Sequence, residues 1–237
     1  MFGFSNKKTL AQTGILKGLT DFHSHILPGV DDGIPSMEEA LKTLDAYESL
    51  GVKQMMLTPH IMEEYPKNTT AFLRSRFEEL KKAYTGNIEL FLGAEYMMDN
   101  QFVALLDSGD LLPVPDRYLL IETAFMNPPL QFMERLEEVR LKGYFVVLAH
   151  PERYAYLRTE DYRKLKEAGV MFQLNLLSLV GGYGKTVENR AKELLNAGYY
   201  DFIGTDIHNF AYHMHRINHS KLGNKEEKQI LRLKNHF

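Results

Sequence analysis

The stretch DFHSHILPGVDDG, residues 21–33, is the part of the chain from which the fold can be read. His23 and His25 stand one residue apart, and Asp31 and Asp32 follow between Gly29 and Gly33. Asp and Gly are ordinary turn residues, but a turn has no use for His-x-His. In an extended segment, residues i and i+2 share a face, so both imidazoles point the same way. The two glycines let the following loop fold back tightly. Asp32 is the candidate ligand of the loop, and Asp31 reads as a turn residue beside it.

Outward from this segment the chain has a rhythm. Short apolar runs rich in β-branched and aromatic residues recur at 19–23, 52–58, 88–93, 118–122, 144–149, 170–174 and 201–204. Their nearly continuous apolar character predicts strands buried on both faces, as in a parallel sheet. Helical patterns separate most of them. In SMEEALKTLDAYESLG, residues 36–51, Ser36 and Glu39 have capping-box spacing, Met37, Ala40, Leu41, Leu44 and Tyr47 repeat at helical intervals, and Gly51 stands where a helix stops. Further helices are expected over 69–84, 128–143, 159–169 and 185–198. Strand–helix alternation argues an α/β fold with parallel strands, which a doubly wound sheet and a closed barrel both satisfy. Residues 1–17 read as a flexible lead-in and 18–237 as one domain, because no Pro/Gly/Ser-rich linker interrupts the series.

The strand ends separate the two architectures. After the first come His23, His25, Asp31 and Asp32; after the second, His60; after the third, Glu95; after the fourth, Glu122. The fifth gives His150, Glu152 and Arg153, the sixth only Asn175, and the seventh Asp206 and His208. A closed parallel barrel brings all its strand C-termini to one face, where active sites sit. An open sheet would scatter these groups along an edge. A distorted seven-stranded (β/α) barrel with one polynuclear site is therefore expected. Imidazole and carboxylate together suit Zn, Mn, Fe and related divalent ions, and the set exceeds what one tetrahedral ion can use. A lone strand-end histidine is more often structural; the expectation rests on the conjunction. His213, His215, His219 and His236 cluster late and are not expected to be ligands, although the spacing of His213 and His215 leaves that pair open. GGYGKT at 181–186 lacks the glycine a phosphate loop needs, because Leu179 stands there, so it reads as a loop before a helix.

Composition narrows the function further. The 237 residues carry a net charge of −3 and no cysteine. Disulfides, thiolate metal sites and cysteine nucleophiles are excluded. Nothing favours nucleic acid or an anionic membrane surface. No apolar run reaches the ~18–20 residues of a membrane span, and a cytoplasmic location is expected.

Taken in order, DFHSHILPGVDDG, TPH, GAE, IET, AHPER and GTDIH resemble the polymerase-and-histidinol-phosphatase (PHP) superfamily, and within it the bacterial protein-tyrosine phosphatases of capsular and exopolysaccharide regulation. The resemblance implies a distorted seven-stranded barrel holding three divalent ions, with manganese first and iron, zinc or cobalt as alternatives. It implies a first ion held by His23, His25, Glu95 and Asp206. Glu95 bridges to a second held also by Glu122 and His150, and a third takes Asp32, His60 and His208. Asp21 is expected to orient a ligand histidine. Arg153, with His150 and Asp206, is assigned to catalysis, in which a metal-activated hydroxide attacks phosphorus without a covalent phosphoenzyme.

The implied substrate is the phosphotyrosine tail of a bacterial tyrosine kinase. A small phosphomonoester of the histidinol-phosphate type is the alternative. One departure bears on substrate contacts. Relatives carry a second arginine shortly after the last Asp-x-His, whereas this chain reads DIHNFAYHMHRIN, leaving Arg216, His213 or His215 for that role.

Overall fold

The structure, a computed structural model, describes residues 7–233. In chain order the elements are β1 (Lys8–Thr9), α1 (Leu10–Thr13), β2 (Thr20–Ser24), α2 (Met37–Ser49), β3 (Gln54–Leu57), β4 (His60–Ile61), α3 (Thr70–Ala83), β5 (Glu89–Leu92), β6 (Glu95–Met97) and α4 (Asn100–Ser108). They continue with β7 (Tyr118–Glu122), α5 (Phe132–Leu141), β8 (Phe145–Ala149), α6 (Thr159–Glu167), β9 (Met171–Asn175), α7 (Lys185–Ala197), β10 (Phe202–Gly204), α8 (Phe210–His219), β11 (Lys221–Leu222) and α9 (Asn224–Leu233).

Two curled parallel sheets form the centre, in the orders β2-β3-β5 and β10-β9-β8-β7-β6-β4. They meet where β3 is followed by β4 and β5 by β6. Backbone bonds from Gly93 N to Leu57 O (2.9 Å) and from Glu95 N to Pro59 O (3.1 Å) carry the pairing across those breaks. At the other margin, Asp206 N donates to His23 O at 2.8 Å and His25 N to Ile207 O at 3.1 Å. The first strand is thus tied to the segment leaving the last.

The helices form as their sequences dictate. Ser36 accepts the amide of Glu39 at 3.2 Å to start α2, whose buried face is Ala40, Thr43, Leu44 and Tyr47. Helix α5 begins later than the sequence suggests. Pro128 and Pro129 lie in a loop, and Gln131 takes a left-handed φ of 55° immediately before Phe132. The left-handed backbone of Gln131 breaks helical geometry there, so the helix starts only at Phe132.

Alternation along the strands divides the core. Leu119, Ile121, Val146, Leu148, Phe172 and Leu174 face the helices. Phe22, Met56, Leu120, Val147 and Phe202 fill the concave interior, where the rings of Phe22 and Phe202 stack at 4.2 Å. Strict alternation would send His23, next to Phe22, to the helix side. A register shift between Asp21 and Ser24 re-aims it inward, the usual effect of a bulge.

Part of the expected lead-in is built into the fold. β1 pairs antiparallel with β11, Thr9 caps α1, and Leu10, Ile15 and Leu16 are buried. The apolar residues are too few to show a period, and the partner strand lies at the far end of the chain. Residues 1–6 of that stretch are outside the described residues, as is His236. Among the described residues, no helix is long and apolar enough to cross a membrane.

Leu10→Ala should cost about 2–5 kcal/mol in urea unfolding, the range for truncating a buried leucine. A loss near zero would restore the lead-in reading for this segment.

Candidate metal centre

The strand-end residues converge. His23 Nε2 and His25 Nε2 are 2.9 Å apart, with Glu95 Oε2 at 3.1 and 3.2 Å and Asp206 Oδ1 at 3.4 and 3.5 Å. All four side chains are buried. The opposite edge of each ring fixes its tautomer. Gln173 Oε1 accepts the backbone N–H of His150 at 3.2 Å, so it is an acceptor, and His23 Nδ1, 3.0 Å away, donates to it. Asp31 accepts from His60 N at 3.0 Å and Gly33 N at 2.9 Å, and His25 Nδ1 donates to it at 2.9 Å. In the neutral state both Nε2 atoms therefore present lone pairs to each other and to two carboxylates. Asp206 Oδ1 is buried without a hydrogen-bond partner among the described residues. Four acceptors with no hydrogen between them fit a cation.

Two further donor groups adjoin this one. His60, Glu95 and Glu122 come together, with His60 Nδ1 3.2 Å from Glu95 and 3.1 Å from Glu122. His25, Asp32, His60 and His208 form the other; Asp32 Oδ1 lies 3.5 Å from both His60 Nε2 and His208 Nε2. His150 reaches Glu95 through the other carboxylate oxygen, at 3.0 Å, and its own Nδ1 has no hydrogen-bond partner among the described residues. His60 thus stands where the resemblance places His150, nearest Glu122, and it also faces Asp32. A cavity of about 220 Å³ opens onto the cluster, with Arg153 and Phe125 on its rim.

The backbone is bent to achieve this. His150 and Asp206 have positive φ, 31° and 52°, which non-glycine residues adopt only at a cost of ~1–3 kcal/mol. Gly33 is required for close approach, because a Cβ there would lie 2.3 Å from His25 O. At Gly204 a Cβ would fall 2.5 Å from that of His23.

The guanidinium carbon of Arg153 lies over the rings of Phe125 (4.3 Å) and Tyr183 (4.5 Å), and Arg153 donates to Asp206 Oδ2 at 3.0 Å. Tyr183 belongs to the glycine-rich loop at 181–186, which therefore reaches the site through a side chain. Arg216 is not brought to either cavity at the mouth: its guanidinium donates to the carbonyl of Val180. Its place on α8 turns it toward the glycine-rich loop. His213 lines the neighbouring cavity, but burial holds its pKa down at about 3, so it stays neutral. His215 is exposed and stacks on His219.

Three roles differ from the sequence reading. Asp31 is the carboxylate that orients His25 and tethers His60. Burial opposes its ionisation, but His25 outweighs burial and its pKa falls to about 2. Among the described residues Asp21 makes no hydrogen bond to an imidazole: it accepts from Thr205 N at 2.8 Å, from Thr205 Oγ1 and from His23 N at 3.3 Å, locking backbone. The orientation of His23 falls to Gln173, which carried no signal because its partner is 150 residues away.

Without a cation, protons must separate the lone pairs. Burial disfavours charge on His23, but Glu95 and Asp206 outweigh it and lift its pKa to about 9; His25 moves the same way through Asp31 and Glu95. A raised folded-state pKa stabilises fully below the unfolded value of about 6.5 and loses that contribution as pH rises through about 9. Chelator-treated protein should therefore show a falling urea midpoint between pH 6.5 and 9, and added divalent ions should flatten the profile. A flat profile in the chelator would contradict the paired lone pairs.

The profile of the family described as "Capsular polysaccharide synthesis, CpsB/CapC" matches residues 19–232. The tyrosine-protein phosphatase YwqE of Bacillus subtilis is 29% identical over 197 residues, covering 81% of this chain and 78% of its own. The tyrosine-protein phosphatase CpsB of Streptococcus pneumoniae is 28% identical over 202 residues, covering 81% and 83%. A crystal structure from work on YwqE and CpsB, described as unique metal-dependent tyrosine phosphatases, superposes with a TM-score of 0.78. It is 27% identical and covers 92% of this chain and 87% of that one. The phosphotriesterase homology protein of Escherichia coli shares the fold alone, with a TM-score of 0.53 and 12% identity over 93% of each chain. With the family profile met from residue 19 to residue 232, the chain belongs to the CpsB/CapC family of capsular polysaccharide synthesis.

Proposed function

We propose that this chain is a metal-dependent phosphotyrosine-protein phosphatase acting in capsular or exopolysaccharide synthesis. The observation that carries the reading is the convergence of three His/carboxylate donor groups and one aromatic-clamped arginine on a single mouth. The names of the relatives support the same activity and give none to the small-phosphomonoester alternative. The substrate we infer is the phosphotyrosine tail of a bacterial tyrosine kinase, met in the cytoplasm. The two parallel sheets are read as one distorted seven-stranded barrel, β4 and β6 continuing β3 and β5, within a single domain over 18–237.

The first ion position is assigned to His23, His25, Glu95 and Asp206. The second is assigned to Glu95, Glu122 and His150 with His60 at hand, and the third to Asp32, His60 and His208. Manganese, iron, zinc and cobalt all suit such donors. Divalent ions held there supply Lewis-acid charge to phosphoryl oxygens and make a water acidic enough to lose its proton near neutral pH. The chain's own contribution is positional. Gln173 and Asp31 hold the two imidazoles with Nε2 inward. Arg153, held against Phe125 and Tyr183, offers a bidentate fork to a phosphate dianion. The leaving tyrosine phenol, with a pKa of about 10, departs without strong demand for a general acid.

Chelation should abolish release of phosphate from phosphotyrosine peptides, and a divalent ion should restore it. Arg153→Ala should lower kcat/KM by about a hundredfold or more with metal content unchanged, and Arg153→Lys should recover only part. An Arg153→Ala enzyme within threefold of wild type would remove the arginine from the mechanism.

A further inference from the structure

Beyond the mouth, exposed apolar side chains gather in one region. Met126 is 71% exposed and Leu130 is 91% exposed, with Phe125 and Met133 partly so. Single exposed apolar residues are ordinary, but a contiguous set beside a site marks an interaction surface. Behind them lies a groove of about 340 Å³ between the start of α5 and α6, lined by Pro128, Phe132, Met133, Tyr156 and Leu157. A run of packed side chains links it to the mouth. Rings follow one another from His150 to Phe125 (6.0 Å), Phe125 to Tyr154 (6.0 Å), Tyr154 to Tyr156 (5.7 Å) and Tyr156 to Phe132 (6.3 Å). The intervening loop is pinned. Ala155 N donates to Phe125 O at 2.7 Å, Thr123 N donates to the hydroxyl of Tyr154 at 3.2 Å, and the hydroxyls of Thr123 and Tyr156 lie 2.6 Å apart. Tyr156, one wall of the groove, is therefore held in place against the strand end that carries Thr123.

We propose that this groove receives an apolar side chain, of the leucine, methionine or phenylalanine class, from the polypeptide that presents the phosphotyrosine. The inference rests on the phosphotyrosine reading above. A phosphotyrosine inside a chain cannot end at the phosphate: its polypeptide must leave the mouth across the rim. On the Phe125 side that rim leads over exposed Met126 to the groove. An extended chain advances ~3.3–3.6 Å per residue, so a flanking residue a few positions away reaches it. An apolar slot with one wall already held in place takes such a side chain at a smaller ordering cost.

The test uses full-length enzyme loaded with manganese and three substrates: free phosphotyrosine, and two phosphotyrosine peptides identical except for leucine or serine at the flanking positions. Wild type should prefer the leucine peptide by about tenfold in kcat/KM, the scale of one apolar side chain in a pocket. Leu130→Ser with Met133→Ser should reduce that preference to within twofold, while turnover of free phosphotyrosine stays unchanged and serves as the control for folding. Equal use of both peptides by wild type overturns the inference, and so does a preference that survives the double variant. Sedimentation adds a third outcome. A wild-type dimer made monomeric by the double variant, with no peptide preference, would give the groove to a second copy of this chain instead. No turnover of any phosphotyrosine compound would remove the activity reading itself, and this inference with it.

Discussion

Four buried acceptor atoms meet at one point, and most of the structure is arranged around that fact. His23 Nε2, His25 Nε2, Glu95 Oε2 and Asp206 Oδ1 lie within 3.5 Å of one another wherever an imidazole is one member of the pair. Lone pairs and carboxylates at that range, out of water, are strongly unfavourable unless positive charge sits among them. The outer partners remove the easy escape. Because Gln173 and Asp31 occupy the Nδ1 edges, neither ring can relieve the crowding by moving its proton to Nε2 without losing a buried hydrogen bond. The cluster must recruit either extra protons or cations.

Such a cluster demands a scaffold that does not yield. Its members come from both ends of the chain, so the margin between β2 and β10 carries the load. Backbone bonds between His23 and Asp206 and between His25 and Ile207 close it, and Asp21 stitches Thr205 to the same strand. Strain accumulates where the donor residues turn inward, in the left-handed backbones of His150 and Asp206. Gly33 and Gly204 meet a steric demand, since each lies against the backbone or Cβ of a cluster histidine. The paired β1 and β11, far from the chemistry, join the two chain ends on the outside.

What the sequence revealed follows from the range of each interaction. Strands and helices were legible because burial imposes periods that local residues must obey: 118–122 is a strand as expected, and 36–51 contains the whole of α2. The metal-type residues were legible because a parallel architecture repeats its strand ends, so His60, Glu95, Glu122, His150 and Asp206 recur at the same phase. Orienting groups have no such phase. Gln173 sits in a strand that reads as apolar, and Asp31 is indistinguishable by type from its neighbour Asp32, although one is buried against His25 and the other is exposed. Arg216 was misplaced because a helix of the right charge says nothing about which way it turns.

The charge of the mouth explains why one arginine is enough to matter. Asp32, Glu64, Glu95, Glu122 and Asp206 line the cavity at the mouth, and the whole chain is also net negative. Only bound cations can reverse that field, so ion binding and substrate binding are coupled by electrostatics. Arg153 is the fixed positive group on the rim, yet it begins paired with Asp206. If it left that carboxylate for a phosphate, a buried anion would lose a donor. Asn175 Nδ2, at 2.7 Å from the same oxygen, and the hydroxyl of Tyr183, at 3.4 Å, remain to satisfy it. Tyr183 therefore serves both partners, presenting its ring face to the guanidinium and its hydroxyl to the carboxylate, and this lets Arg153 turn to substrate without leaving Asp206 bare.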